Sequence, residues 1–170
     1  ELGFELRTFP HSPDYPDQDD ATLSPSLTFQ PELVFEWNEG MDRFTFEPFM
    51  RWDADDDRRS HVDLREASYL HLADSWDLTI GISRVFWGVT ESVHLVDVIN
   101  QTDGVEDIDT EDKLGQPMVK VNWLTDSGTF SLFVLPGFRD RTFPGDDARR
   151  RGPLEIEQHN PLYESGAEEE

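Results

Sequence analysis

The stretch SLTFQPELVFEWNEGMDRFTFEPFMRW, residues 26–52, decides the fold class of this chain. Apolar residues recur at every second position on both sides of NEGM, residues 38–41, and successive strand residues point to opposite faces of a sheet. A turn at NEGM would pair Phe35 with Phe44, Leu33 with Phe46, Pro31 with Pro48 and Phe29 with Met50. Because this register keeps apolar residues opposite one another, the sequence predicts an antiparallel hairpin with one apolar and one polar face.

A sheet with two such faces has two explanations. In a soluble sandwich or barrel, the apolar face covers the core and the polar face meets water. In a transmembrane barrel, the apolar face meets lipid and the polar face lines a water-filled lumen. Trp37 and Trp52 lie at opposite ends of their strands and Trp76 begins another strand, where an aromatic girdle would lie. Soluble sheets also place aromatic residues at strand ends, so this cue does not decide between the two.

The composition excludes several classes of protein. The 170 residues include 37 acidic and 14 basic ones, and the net charge of −23 argues against a nucleic-acid partner. Cysteine is absent, so there is no disulfide framework, thiol nucleophile or cysteine-ligated metal. No segment approaches the roughly 20 apolar residues of a membrane-spanning helix, and the first residues lack the features of a signal peptide. A barrel needs no such helix, and a mature or trimmed chain would have lost its signal peptide.

The lengths of the connections separate the two explanations. Further strands are predicted at residues 3–9, 62–72, 76–87, 116–124 and 129–138, and the facing of 62–72 is ambiguous. Short turns at 38–41, 73–75 and 125–128 alternate with long polar connections at 10–25, 53–61, 88–115 and 138–170. Outer-membrane barrels have short periplasmic turns and long extracellular loops, whereas a soluble barrel has no reason to sort its loops this way.

The predicted fold class is therefore all-β, an antiparallel up-and-down transmembrane β-barrel of the bacterial outer membrane, with residues 1–170 in a single barrel domain. About seven strands would leave the last connection outside the cell, whereas a bacterial barrel has an even strand number and closes on itself. An open edge in lipid would expose unpaired backbone groups. We therefore expect the chain to be the N-terminal portion of a larger barrel, cut before its next strand.

Several motifs resemble those of a known family. The most specific are Trp76-Asp77-Leu78, Trp87-Gly88, Leu95-Val96-Asp97-Val98-Ile99-Asn100 and Leu135-Pro136-Gly137-Phe138. Within residues 62–169, the chain resembles a widespread group of uncharacterised, porin-like β-barrel proteins of the Gram-negative outer membrane. Ser68 and the run Ile82-Ser83-Arg84 depart from that pattern. The resemblance implies location and architecture, and it transfers no catalytic residue because the function of the family is unassigned.

No motif for catalysis or cofactor binding is evident. The sequence lacks a G-x-S-x-G elbow, a P-loop and H-E-x-x-H, and the five histidines show no metal-ligand spacing. We therefore predict a protein that is not an enzyme and uses no cofactor. The acidic runs at 53–57 and 106–112 are candidate sites for divalent cations such as Ca²⁺, although neither has the spacing of an EF-hand. The alternative is that they are solvated loops whose carboxylates pair with nearby arginines.

Charges on the polar face of the hairpin carry the functional prediction. The candidate lumen-facing residues are Glu32, Glu36, Arg43, Glu47 and Arg51, joined farther around the sheet by Lys120 and Asn122. Such side chains need a wet lumen or partners of opposite charge. In a wet lumen, mixed charges produce a transverse field that orients a polar solute. The alternative is an internal salt-bridge network in a plugged barrel.

The connection 88–115 is unusual because its first half, VTESVHLVDVIN, is too apolar for an exposed loop. We expect this segment to fold back into the barrel and narrow the lumen, since its apolar side chains need cover from water. His94, Asp97 and Asn100 are the candidate constriction residues. The alternative is that the segment extends the preceding strand beyond the membrane and pairs there.

The sequence thus predicts a porin-like channel or transport protein of the outer membrane. Its expected partners are the lipid bilayer and outer-membrane lipids, small solutes and, at the acidic loops, divalent cations. One alternative is a soluble all-β module that binds a ligand such as a carbohydrate, with Trp and Tyr side chains as stacking platforms. Another is an outer-membrane hydrolase that uses carboxylates, which no residues at fixed spacing support.

Overall fold

The computed structural model describes residues 1–86, 98–106, 111–153 and 156. Its strands are β1 (Leu2–Thr8), β2 (Leu23–Phe29), β3 (Leu33–Trp37), β4 (Asp42–Asp53), β5 (Val62–Leu72), β6 (Trp76–Ser83), β7 (Gln116–Thr125) and β8 (Gly128–Val134), with a 3₁₀ turn at Asn38–Gly40. They form one antiparallel sheet in the order β1-β2-β4-β5-β6-β7-β8, in which β3 also pairs with β4. The predicted all-β, antiparallel arrangement is confirmed. Within the described ranges the sheet is not closed into a barrel, and β1 and β8 form its edges.

The predicted register of the hairpin is confirmed. The observed pairs include Phe35 with Phe44, Leu33 with Phe46 and Phe29 with Met50. The single strand predicted before the turn is divided, however, into β2 and β3, which lie end to end along β4 in the same register. The division falls at Pro31, opposite Pro48, and neither proline has an N–H to give to the ladder. The sheet therefore has eight strands where seven were predicted.

The three tight turns of the sheet lie at one end, which we call the turn end. The predicted turns join β3 to β4, β5 to β6 and β7 to β8, and the long connections lie at the opposite end, the loop end. Two strands stop earlier than predicted. After β6, the N–H of Val85 donates to the side-chain oxygen of Asn100 at 2.9 Å and not to a neighbouring strand. After β8, Pro136 lacks the N–H that a strand would need.

A β-bulge in β5 resolves the facing of residues 62–72. The cross-strand pairs are Phe49 with Asp63, Pro48 with Leu64 and Glu47 with Glu66. Arg65 is therefore an extra residue, and the alternation of faces changes its parity there. Asp63 and Glu66 share one face, whereas Tyr69 and His71 lie on the other. Odd-numbered positions face the polar side before the extra residue, and even-numbered positions face it afterwards. No single parity therefore describes residues 62–72, and this explains why their facing could not be assigned from the sequence.

The two faces of the sheet are exposed to very different degrees. The apolar face, with side chains such as Phe4, Phe35, Ile80, Trp123 and Leu132, remains exposed, and Phe35 is 58% accessible. The polar face carries buried hydroxyl and charged groups, including Ser26, Thr45, Glu47, Asp53 and Arg65. Among the described residues, the buried hydrophobic side chains are Phe49, Val105, Leu114, Met118 and Ala148. This distribution is the reverse of what the hydrophobic effect gives a sheet in water.

In the part of the chain that the structure describes, no helix has the length and apolar character needed to cross a membrane.

Candidate functional site

Charged side chains from the polar face and from the long connections form one set of buried ion pairs, which we call the charge cluster. It comprises Arg51 of β4, Arg59 of the β4–β5 connection and Arg65 of the bulge, with Glu5, Asp53, Asp63, Asp103 and Glu106 as their partners. Taking an ion out of water costs several kcal/mol unless opposite charges and hydrogen bonds replace the lost hydration. The charge cluster therefore depends on the connections that supply its partners.

Arg51, one of the predicted lumen-facing residues, ties the hairpin to the connection after β6. Its Nε donates to both carboxylate oxygens of Glu106, at 3.0 and 2.8 Å. Its Nη1 donates to Glu5 of β1 at 3.1 Å and to the hydroxyl of Ser26 at 3.0 Å. The side chains of Arg51 and Glu106 are only 11% and 5% exposed. The guanidinium of Arg51 thus links β4 to β1, to β2 and to a long connection.

Arg59 is the most deeply buried cation of the charge cluster, with 3% of its side chain exposed. Its Nη1 donates to Asp53 at 2.5 Å and its Nη2 donates to Glu5 at 2.9 Å. Burial by itself lowers the pKa of Arg59, but the hydrogen bonds to Glu5 and Asp53 outweigh it and raise the pKa above its usual value. Arg59 therefore stays charged inside the fold.

Asp103 is completely buried and links the bulge to the loop end. Its Oδ2 lies 2.6 Å from the Nη1 of Arg65, and its Oδ1 accepts a hydrogen bond of 2.5 Å from the hydroxyl of Thr142. Burial by itself would raise the pKa of the Asp103 carboxyl, but its contacts with His61, Arg65 and Thr142 hold the pKa well below its usual range. Asp103 is therefore an anion at any physiological pH.

His61 lies beside two carboxylates of the charge cluster. Its Nε2 is 3.8 Å from the Oδ2 of Asp103 and 3.7 Å from the Oε1 of Glu106, while its Nδ1 is 3.0 Å from the carbonyl oxygen of Arg59. Burial lowers the pKa of His61, but the contacts with Asp103, the Arg59 carbonyl and Glu106 raise it above its ordinary value. The surroundings of this imidazole thus favour a positive charge.

Residues 98–106 of the long connection lie against the polar face of the sheet. Asp103 and Glu106 reach Arg65 and Arg51, and the connection returns at Gly115, where a Cβ would lie 2.5 Å from the carbonyl oxygen of Arg65. A glycine is needed there because the chain passes directly over the bulge. Of the candidate constriction residues, Asn100 is buried in this region, whereas His94 and Asp97 lie outside the described residues.

Asn100 anchors the connection through backbone hydrogen bonds. Its Nδ2 donates to the carbonyl oxygens of Ser83 and Leu114, both at 2.9 Å, and its Oδ1 accepts from the N–H of Val85. The side chain thereby satisfies three backbone groups that the sheet leaves unpaired. The sequence motif that contains Asn100 thus has a structural role that its apolar pattern alone did not reveal.

Replacing Asn100 with alanine should lower the free energy of unfolding by about 1–3 kcal/mol, because buried backbone groups would lose their partners. Amide hydrogen exchange should be fastest, relative to the parent protein, at Val85. The matched control is Asn122→Ala, because Asn122 bonds the side chains of Asp77 and Ser131 near the surface and leaves no backbone group unpaired. Equal losses of stability in the two variants would contradict this role of Asn100.

The remaining predicted lumen-facing residues lie outside the charge cluster. Glu47 is buried and accepts hydrogen bonds from Gln30 and, at 2.5 Å, from Arg84. Glu36 and Arg43 form an exposed ion pair near the turn end. Lys120 lies over the ring of Phe133, Asn122 bonds Asp77 and Ser131, and Glu32 is exposed at the break between β2 and β3. The structure thus brings Arg51 into the charge cluster and distributes the others along the polar face.

The long connections pack against one another at the loop end. Asp19 and Asp147 share a backbone hydrogen bond of 2.9 Å, and the N–H of Gly145 donates to the Oδ1 of Asp56 at 3.3 Å. Asp56 also caps the backbone N–H groups of Arg58 and Arg59. Burial, followed by the nearby charge of Asp147, raises the pKa of Asp56. The two carboxylates therefore repel each other across the joined loops at neutral pH.

The raised pKa of Asp56 gives a pH-dependent prediction. Its ionised form destabilises the fold above this raised pKa, and the penalty disappears as the pH falls through it and the carboxyl binds a proton. Asp147→Asn should therefore raise the free energy of unfolding at neutral pH by up to about 1 kcal/mol. The gain should vanish once Asp56 is protonated. Asp17→Asn, at an exposed position of the same loop end, should give no such pH-dependent gain in urea unfolding.

Aromatic side chains line the apolar face at the turn end, and we call them the aromatic row. Trp37 stacks on Tyr69 with 5.9 Å between ring centroids, and Trp76 pairs across the sheet with Trp123. Beside these rings, Asp42 accepts hydrogen bonds from the hydroxyl of Tyr69 at 2.6 Å and from His71 at 2.7 Å. The row thus presents amphipathic rings at one level of the apolar surface.

Comparisons with family models, with curated proteins and with solved structures find no match to this chain. The resemblance to outer-membrane barrel proteins therefore stays a prediction, and the features that bear on function are the two faces of the sheet and the charge cluster.

Proposed function

We propose that this chain forms part of the wall of a porin-like β-barrel in the bacterial outer membrane and helps to pass small polar solutes. The observation that carries the proposal is the reversed distribution of the two faces. Large apolar side chains such as Phe35 and Leu132 are exposed, whereas Arg59 and Asp103 are buried. A lipid environment stabilises such an exposed apolar face. On the opposite face, ion pairs and hydrogen bonds stabilise the charges that would lie inside the barrel.

The aromatic row supports this proposal. Trp and Tyr are enriched where the acyl chains of a membrane meet its headgroups, because one side of each ring is apolar and its polar atom reaches water or a partner. Trp37, Tyr69, Trp76 and Trp123 lie at the same end of neighbouring strands, on the exposed apolar face. In a barrel this end would be the periplasmic side, where the short turns lie.

Residues 98–106 would narrow the passage at the opposite end. They lie on the polar face and are held there by Arg51 and Arg65. A solute would therefore pass a constriction behind which carboxylates and guanidinium groups lie paired, and the field of these charges would orient polar molecules. Farther toward the turn end, the exposed pair of Glu36 and Arg43 would lie beside the same path.

Membrane partition tests the location. The protein should fractionate with outer membranes and run at different apparent sizes in a gel before and after heating. A folded protein that stays in the soluble fraction and shows no heat-dependent mobility would overturn the membrane proposal.

Planar-bilayer conductance tests the transport. The purified protein should give discrete conductance steps, and Glu36→Gln should shift the reversal potential toward anion preference because a fixed negative charge beside the path is removed. Glu39→Gln is the matched control, since Glu39 lies in the turn itself. The absence of conductance at high protein load would reject the pore while leaving the membrane location standing. Equal shifts in both variants would reject the path past Glu36.

A second candidate function is a soluble module that binds carbohydrate. The exposed rings of Trp37 and Trp123 favour it, because aromatic faces stack on sugar rings. This function predicts a soluble folded protein whose tryptophan fluorescence changes with added oligosaccharide. The partition experiment separates it from the barrel before any ligand is tried.

A further inference from the structure

We propose that His61, Asp103 and Glu106 bind a divalent transition-metal ion, with Zn²⁺ as the reference ion. The ion would join the β4–β5 connection, which carries His61, to the connection after β6, which carries both carboxylates. This inference does not rest on the proposed transport function, because it concerns only how two connections are held together.

The geometry of the three side chains suits such an ion. One ligand atom from each residue lies within 4.8 Å of the other two, and the Nε2 of His61 is 3.8 and 3.7 Å from the two carboxylate oxygens. With metal–ligand bonds of about 2.0–2.2 Å, ligand atoms around Zn²⁺ lie roughly 3–3.5 Å apart. A small contraction of the cluster would therefore complete three of the four tetrahedral positions.

The contact of His61 with the Arg59 carbonyl leaves the Nε2 of His61 facing the carboxylates of Asp103 and Glu106. Its Nδ1 is 3.0 Å from the carbonyl oxygen of Arg59 and must donate a proton to it, so in the neutral ring the lone pair is on Nε2. Among the described residues, neither Nε2 of His61 nor Oδ2 of the completely buried Asp103 makes a hydrogen bond of good geometry, although Oδ2 forms an ion pair with the Nη1 of Arg65 at 2.6 Å. A lone pair that faces two carboxylates is repelled unless a cation lies between them, and that cation is either a proton or a metal ion.

Neighbouring groups hold the three ligand side chains in position through hydrogen bonds. Metal-bound histidines usually donate their second nitrogen to a carbonyl or carboxylate, as His61 does to Arg59, and bound carboxylates are themselves hydrogen-bonded. Thr142 holds Asp103, and Arg51 holds Glu106. The nearest competitor is Arg65, whose Nη1 is 2.6 Å from Oδ2 of Asp103. The same nitrogen has a second carboxylate at 2.9 Å in Asp63, to which it can remain bound when the ion enters.

An access route adjoins the site. A cavity of about 410 Å³ borders His61, Asp103 and Arg139 at the loop end, and its volume is ample for a hydrated ion. A metal ion can thus reach the buried carboxylate without unfolding of the sheet. Water from this cavity is the natural fourth ligand of a three-residue zinc site.

The test is a calorimetric titration of the full chain, folded in detergent micelles, with Zn²⁺ at neutral pH. The parent protein should bind one zinc ion, and His61→Ala should weaken binding by at least about 10–100-fold. His11→Ala is the matched control and should bind like the parent, because that histidine lies in another long connection. Far-ultraviolet circular dichroism establishes that each variant is folded. Should His61→Ala fail to fold, the isosteric Glu106→Gln must show the loss of affinity instead.

Three results would overturn the proposal. The first is the absence of zinc binding by the folded parent protein, which would leave a protonated His61 as the cation between the carboxylates. The second is equal binding by the parent and His61→Ala, which would place the ion among other acidic side chains of the loop end. The third, where His61→Ala does not fold, is undiminished binding by Glu106→Gln. Because none of these measurements involves conductance, their failure is separate from any failure of the pore.

Discussion

Arg59→Ala is expected to lower the free energy of unfolding by about 3–5 kcal/mol, the range for removing one partner of a buried ion pair. The guanidinium of Arg59 lies 2.5 Å from Asp53 and 2.9 Å from Glu5, and only 3% of the Arg59 side chain is exposed. Among the described residues, Arg59 is the ion-pair partner of Asp53, so without it the Asp53 carboxylate, also 3% exposed, would remain buried and lose that countercharge. Urea unfolding in micelles, followed by tryptophan fluorescence, measures this loss.

Arg43→Ala is the matched control for Arg59→Ala. It removes the same side chain from an ion pair whose members, Arg43 and Glu36, are 48% and 47% exposed. Exposed pairs of this kind contribute about 0–1 kcal/mol. A similar loss of stability in both variants would mean that the charge cluster is as well hydrated as the turn end.

The second large effect is expected on the apolar face. Leu132 lies in the middle of β8 and is 51% exposed. In a lipid bilayer, Leu132→Arg should destabilise the folded protein by about 2–4 kcal/mol, because the charge would lie in hydrocarbon. In a water-soluble protein, the same substitution at a half-exposed position should change the stability by no more than about 0.5 kcal/mol. Folding equilibria in phospholipid vesicles therefore distinguish the two environments directly.

Ser131→Arg provides the control for Leu132→Arg, since Ser131 is the preceding residue and faces the polar side. Its hydroxyl donates to Asn122, so the variant should lose only about 1 kcal/mol for that hydrogen bond. A larger cost at Ser131 than at Leu132 would reverse the assignment of the two faces.

Much of the sheet could be predicted from the alternation of residues in the sequence. The pairing of Phe35 with Phe44 and of Phe29 with Met50 follows from parity and one turn, because a two-faced sheet permits a single register. The division at Pro31 was not predicted, although two prolines opposite each other leave no donors there. The bulge at Arg65 was not predicted either. In the sequence, one extra residue interrupts the alternation of apolar and polar residues, and it cannot be distinguished there from an irregular segment.

The candidate site was predictable only in part, because Arg59, Asp103 and Glu106 come from connections. Parity identified Arg51 as a polar-face residue, but its partner Glu106 lies in an acidic run that has no periodicity. In the sequence, Arg59 is one of several loop arginines that can pair with carboxylates. His61 has no potential metal ligand at a regular spacing from it. Its neighbours come from a different connection, and only the folded chain brings them together.

The extra residue in β5 divides that strand into two phases of alternation. Before Arg65 the odd-numbered positions face the buried charges, and after it the even-numbered positions do. Deletion of Arg65 would join Leu64 directly to Glu66, so the strand would alternate without interruption and Glu66, Tyr69 and His71 would keep their present faces. What would be lost is the guanidinium that binds Asp63 and Asp103. Among homologues, a gap of one residue here should therefore leave the two faces unchanged and accompany a substitution at Asp103.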